Sequence, residues 1–323
     1  MIKQLKKKLL SSHWARKLDL LFKKVILPGF DRVPFLVILK FFFKGIVEGY
    51  ITSRASAIAF SFFLALFPAL IFLFSLIPFI PVEHFQDELI LQVKLLLPTS
   101  AYELVEHTLR DLVKHKRTRL LSFGILTTLY FSTNGINSII SAFNLSYHSV
   151  TGRNWLSQQI TALWITLVLF LFIITAISLI IFGQDIIVLI VGRFDLLSGL
   201  EVFLLNTAKW IVIISLIYFS ISMLYYWGPK EKEYWKFFSA GSTLSTLSII
   251  LFSIGFAYYV NNFGQYNKLY GSIGTLMVIM VWIYLNCIAL LIGYELNAAI
   301  KGARSRIMKV QSKPLPTESI PPV

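Results

Sequence analysis

A single cysteine, Cys287, serves a chain of 323 residues, which leaves no intramolecular disulfide and no multi-thiolate metal site. Charge is scarce too: 14% of the residues are Asp, Glu, Lys or Arg, and only 16 are acidic. The five histidines, His13, His84, His107, His115 and His148, are not spaced as a zinc-binding pair on one helix, and no acidic cluster suits a two-metal nuclease. A Gly-Lys-Ser phosphate loop, a nucleophile elbow and a dinucleotide fingerprint are all missing. These absences remove the usual bases for ATP-driven, hydrolytic or redox work by this chain alone. No metal, no cofactor and no enzymatic activity are expected.

Apolar residues are what the chain has in excess. They make up 56% of it, 15% of the chain being aromatic, and the mean hydropathy is +0.72, far beyond what a soluble core needs. Apolar runs recur at a length that crosses a hydrocarbon core of about 30 Å. The expected spans are Ser53 to Ile80, Leu120 to Tyr147, Trp155 to Phe182, Phe203 to Trp227, Phe237 to Val260 and Ser272 to Ile300. The fold class is therefore all-α: a polytopic membrane helical bundle of about six transmembrane helices, with interfacial N-terminal helices and an outer amphipathic helical cap. Three regions follow: a basic amphipathic stretch at 1–52, the membrane domain at 53–300 with the cap at 81–119 inserted between its first two spans, and a basic, proline-containing tail at 301–323 with disordered composition.

Six crossings put both termini on one side. Most of the 30 basic residues then fall on that side, from Lys3 to Arg54, at Arg153, from Lys230 to Lys236 and from Lys301 to Lys313, so the positive-inside rule places both termini in the cytoplasm. Residues 1–30 lack a signal-peptide pattern and are expected to be retained. Within Pro34 to Tyr50, Lys40, Lys44 and Glu48 stand four apart opposite Phe35, Leu39, Phe42, Phe43 and Ile46, the pattern of a helix lying in the interface. Its charges, with those of the preceding Lys clusters, either bind anionic headgroups or only fix topology. The net charge of +14 is thereby accounted for, and no nucleic acid is expected as a partner. In the cap, Ser100 and Glu103 have capping-box spacing ahead of Val105, Leu109 and Leu112.

Polar side chains inside the spans are the candidate functional residues. Thr127, Tyr130, Asn134, Asn137, Ser141, Asn144 and His148 follow at alternating spacings of three and four, on one helical face. Such a seam either walls a groove for a polar headgroup or solute, or glues helices together. Small residues at Ser53, Ala57, Ser61, Ala65 and Ala69, and at Gly241, Ser245, Ser248 and Gly255, form stripes for close helix packing. Arg54 opens the first span and Glu295 closes the sixth, at one membrane depth; they pair across the cytoplasmic boundary, or Arg54 snorkels to headgroups.

The run Ser53-Arg54-Ala55-Ser56-Ala57 on to Pro68, together with Asn144, Arg153, Pro229, Trp235, Tyr270-Gly271-Ser272, Trp282, Gly293 and Glu295-Leu296-Asn297-Ala298, resembles the YihY/BrkB family of bacterial inner-membrane proteins over roughly Phe35 to Ile300. Two departures stand out: Ala240-Gly241-Ser242 where the family tends to Pro-Gly-Ala, and Tyr294 where a small residue is usual. The resemblance implies a six-span protein of the bacterial plasma membrane without a settled activity. Members have carried the label ribonuclease BN, and others are linked to serum resistance or envelope lipid phenotypes. The leading expectation is a non-enzymatic bundle that binds or moves an amphiphile, such as a lipid or lipid-linked envelope precursor, among membrane lipids with anionic headgroups at its N-terminal region. A non-transporting envelope scaffold is the alternative, a membrane-tethered ribonuclease the remote one, and no motif defines an oligomeric state.

Overall fold

Residues 33–79, 90, 106, 118–146, 154–194, 199–230, 236–263 and 272–311 are described by the structure, a computed structural model. Pro34, at φ −58° and ψ 134°, leads into α1 (Phe35–Glu48), because proline suits a helix start and cannot continue one from upstream. The helix ends where the Gly49 N–H bonds to the Gly45 carbonyl at 2.8 Å. Tyr50 turns the chain in the left-handed region at φ 48°, and α2 (Ile51–Leu76) begins at once. Pro68 lies inside α2, which closes in a short 3-10 turn, Ile77–Phe79. The remaining helices are α3 (Thr118–Asn144), α4 (Trp155–Phe194), α5 (Gly199–Trp227), α6 (Ala240–Phe263) and α7 (Ser272–Gln311). Among the described residues all regular structure is helical.

Five of these helices are long and apolar enough to cross a membrane, over Ile51–Leu73, Trp155–Leu179, Phe203–Trp227, Ala240–Val260 and Leu276–Arg306. At 27 residues α3 is also long enough, spanning about 40 Å at 1.5 Å per residue. It falls outside the apolar set because Asn134, Asn137 and the neighbouring hydroxyls lower its hydropathy, not because it is short. Both α4 and α7 run 40 residues, past the expected ends at Phe182 and Ile300. A helix is indifferent to where the hydrocarbon stops, so hydropathy marks a span's end and not a helix's end.

Each membrane helix packs on its neighbours in sequence, and the ring closes where α7 meets α2; α1 lies against α7. Ile58, Ala59, Ile140, Phe143, Ile165, Leu291 and Tyr294 fill the centre, all essentially inaccessible. Lipid is as apolar as this core, so burial alone does not hold the ring; close backbone approach and interhelical hydrogen bonds do. Where α6 crosses α7, a Cβ on Gly241 would stand 2.1 Å from the Gly293 carbonyl, and one on Gly293 2.0 Å from Ser245 Oγ. Ser245 donates to the Ala289 carbonyl at 2.8 Å, and the buried Tyr225 hydroxyl reaches the Leu290 carbonyl. The second small-residue stripe is thus a contact at Gly241 and Ser245. At Gly255 it is open, with nothing within 4 Å of an added Cβ.

The departures from the family pattern have structural homes. Tyr294 stacks on Phe143 at 4.0 Å and 5°, so the larger side chain fills the centre of the ring. Ser239 precedes α6, its hydroxyl accepts the Ser242 N–H at 3.1 Å, and Asn297 Oδ1 accepts the Gly241 N–H at 2.8 Å. Two otherwise orphaned amides at the helix start are satisfied this way, without the proline. On α1, Ile38 is buried against Ala299, Ile300 and Ala303, while Phe43 and Val47 stay exposed and Lys44 pairs with Glu48 at 3.7 Å. One part of its apolar surface therefore packs on α7 and the rest is left for the interface. Residues 1–32, nearly all of the cap at 81–119, the tail from 312, and His148, Arg153, Tyr270 and Gly271 lie outside the described residues.

Candidate functional site

Where α2 begins, α3 ends and α4 begins, the three helices leave a lateral groove of about 670 Å³. Gly49, Tyr50, Ser53 and Ala57 form one wall and Gln158 and Gln159 the other, while α3 supplies the floor through Asn134, Asn137, Ser138 and Ser141. The floor follows from the heptad-like spacing of the polar residues, which keeps them on one side of α3. Gln158 and Gln159 are the fourth and fifth residues of α4, and both amides reach the last turns of α3. Asn137 Nδ2 donates to Gln159 Oε1 at 2.7 Å, and Gln158 Nε2 donates to Ser141 Oγ at 3.0 Å. One level deeper, Ser61 and Ser138 share a hydrogen bond of 2.7 Å.

Arg54 lines the same groove and is held from behind. Its Nη2 donates to Glu295 Oε1 at 2.5 Å and its Nη1 to the Ala142 carbonyl at 2.7 Å. Glu295 is fully buried and also accepts from Ser146 Oγ at 3.0 Å. A buried ion pair is tolerated only when its remaining lone pairs and protons are met, and these added bonds do most of that. Gly49 makes the room, since a Cβ there would come within 3.0 Å of Arg54 Nη2. Two atoms of the groove's lining residues, Arg54 Nε and Asn137 Oδ1, are buried without a partner among the described residues, as are hydroxyl or amide oxygens of Thr128, Ser222 and Asn286 away from the groove. Each such group costs about 1–3 kcal/mol until something bonds it.

Not every residue of the α3 face belongs to the groove. Asn134, Asn137 and Ser141 do; Thr127 instead donates to the Phe123 carbonyl of its own helix at 2.7 Å. Tyr130 is 64% exposed beside Phe131, and Asn144 ends the helix with its Oδ1 buried and unpartnered among the described residues. The reason is geometric. A 3-4-3-4 spacing drifts by about 20° per heptad on a straight helix, and the first turn of α4 flanks only the last turns of α3. Sequence reasoning missed Gln158 and Gln159, although two adjacent amides at the start of an apolar run were a readable signal. It also missed Ser146 as a partner of Glu295, where no spacing links the two.

Among the other sequence-marked positions, Gly293 and Asn297 make the α6–α7 contacts given above, Pro229 is buried just after α5, and Pro68 stays within α2. Trp282 lines a second, apolar cavity of about 360 Å³ inside the ring, with Phe62, Ile139, Leu224, Ile249 and Cys287. Chemically the polar groove can donate and accept hydrogen bonds. Among the described residues it holds no nucleophile beside a free base, and no group of His, Cys, Asp and Glu is placed to hold a metal ion.

Compared with known proteins, residues 42–315 match the family described as Virulence factor BrkB. A protein of Bacillus subtilis, YfkH, whose name calls it ribonuclease-like, is 31% identical over 252 residues, covering 77% of this chain and 89% of that protein. UPF0761 membrane proteins of Alteromonas mediterranea and Aggregatibacter aphrophilus are each 24% identical, over 80% and 83% of this chain and 86% and 93% of their own lengths. No solved structure matches.

Proposed function

Because the chain belongs to the virulence factor BrkB family and is a helical membrane protein, we propose that it binds the polar head of an amphiphile in the groove between α2, α3 and α4, and carries out no chemistry on it. One observation carries this reading: a groove of about 670 Å³ sits where α2 starts, and the neutral polar side chains of Ser53, Asn134, Asn137, Ser141, Gln158 and Gln159 are among those that line it. The chain works in the bacterial plasma membrane with both termini in the cytoplasm, as its basic residues favour, so the groove faces the inner leaflet. The basic region before α1 contacts anionic headgroups there. Against a nuclease reading in line with the ribonuclease-like name of YfkH stands Glu295, the buried carboxylate among the described residues, which is taken up by Arg54 and Ser146.

A photoreactive residue at Leu145, 70% exposed at the groove, compared with one at Leu247, 62% exposed on α6, tests the reading in intact membranes. Leu145 should capture one lipid class enriched over the bulk composition and Leu247 the bulk mixture. Identical bulk mixtures at both sites would remove the groove from consideration and favour a scaffold.

A further inference from the structure

We infer that the groove selects a neutral, hydroxyl-bearing headgroup, a sugar or polyol on a lipid, rather than a phosphate; this rests on the amphiphile reading above. Charge is the first argument. Among the described lining residues Arg54 is the only charged one, and its guanidinium is neutralised by Glu295 and bonded to the Ala142 carbonyl. An anion entering the groove would meet no uncompensated cation, and it would have to compete with a carboxylate 2.5 Å away for Arg54. A desolvated anion without a counter-charge is costly, whereas a hydroxyl is not.

The second argument is the balance of donors and acceptors. Asn134, Asn137, Gln158 and Gln159 are carboxamides, and each presents both a donor and an acceptor whichever way the amide is turned. After the two bonds they make within the groove, Gln159 retains its NH₂ and Gln158 its carbonyl oxygen, and Asn134 has no side-chain partner among the described residues. Ser53 and Ser141 add hydroxyl protons. A phosphate monoester carries one to two negative charges and at most one donor, so most of its anionic oxygens would face the amide oxygens unpaired. A hydroxyl donates one bond and accepts up to two, and a ring of them fits a lining that offers both donors and acceptors. Tyr50, 76% exposed and fixed by its left-handed backbone, offers a flat apolar face at the mouth.

The test uses the full chain in detergent, observed by native mass spectrometry with three added lipids of matched acyl chains: monoglucosyldiacylglycerol, phosphatidic acid and diacylglycerol. The glucolipid should be retained at about tenfold lower concentration than the other two. Gln158→Leu should erase that preference, and so should Ser53→Ala, which touches an exposed hydroxyl and leaves the fold unaltered if the first variant does not. Phosphatidic acid held as well as the glucolipid would overturn the hydroxyl reading while leaving amphiphile binding standing. Saturable retention of none of the three overturns both. A preference that survives both substitutions puts the site elsewhere and overturns the assignment to this groove.

Discussion

Glu295 on α7 grips Arg54 on α2 at 2.5 Å, with 0% and 6% of the two side chains exposed, and so ties the last membrane helix to the first where the ring closes. The pair spans 241 residues of sequence. Through Ala142 and Ser146 it also fixes the end of α3, which is the floor of the groove. Because the pair anchors α7 both to α2 and to the end of α3, the groove's shape depends on α7, although α7 contributes none of its walls.

Removing either partner leaves the other's charge buried without its counter-charge. Glu295→Ala and Arg54→Ala should each destabilise the protein by about 3–5 kcal/mol, and the double variant by less than their sum. Unfolding in micelles, followed for all four members of the cycle, measures the coupling. Strictly additive losses would show that the two side chains act separately.

Glycine should be required where α7 crosses the start of α6 and not farther along α6. Gly293→Ala drives a methyl group into Ser245 and the Gly241 carbonyl and should cost about 1–3 kcal/mol. Gly255→Ala meets open space and should stabilise the helix by about 0.5–1 kcal/mol through backbone entropy alone. Thermal melting of the two variants side by side checks the contrast; equal effects would mean that α6 and α7 do not cross at Gly241.

Asn297 acts at a distance of 56 residues as a cap for α6. Asn297→Ala should cost about 0.5–2 kcal/mol and speed amide exchange at Gly241 and its neighbours, leaving the C-terminal half of α6 protected. Faster exchange along the whole helix would indicate a general loss of packing instead.

How far the fold could be read in advance differed by residue. Apolar runs showed the helices, since a lipid solvent demands long, internally bonded segments. The face of α3 was visible as spacing, and Asn134, Asn137 and Ser141 were among its candidates. Which of its seven positions would meet a neighbour was not visible, because that depends on where α4 starts beside it. Arg54 and Glu295 could be matched by depth in the membrane. Ser146 and the Ala142 carbonyl could not, since a turn and a backbone oxygen carry no signature in composition.

Orientation is a separate expectation, drawn from charge. Single cysteines placed at positions 1 and 323, with Cys287 replaced, should resist an impermeant thiol reagent applied to sealed cells and react once the membrane is opened. Labelling of both from outside would invert the protein and move the groove to the outer leaflet. Labelling of one alone would break the even number of crossings.

The groove itself can be separated from helix glue by asking where water reaches. In a chain whose Cys287 is changed to Ala, cysteines at Asn134 and Ser141 should react with a water-soluble thiol reagent, because both positions line the open groove and a polar wall at the membrane boundary stays hydrated. Cysteines at Ile139 and Ala162 should not, since these neighbours are 3% and 0% exposed in the packed centre. The pattern matters more than any single rate: 134 and 141 are two turns apart on one face, and 139 lies between them on another, so a frayed helix would label all three. A bound amphiphile should then slow the reaction at 134 and 141 alone. If those two positions stay as unreactive as 139 and 162 while Asn137→Leu lowers the melting temperature, the amides are internal glue and the protein is better understood as a scaffold.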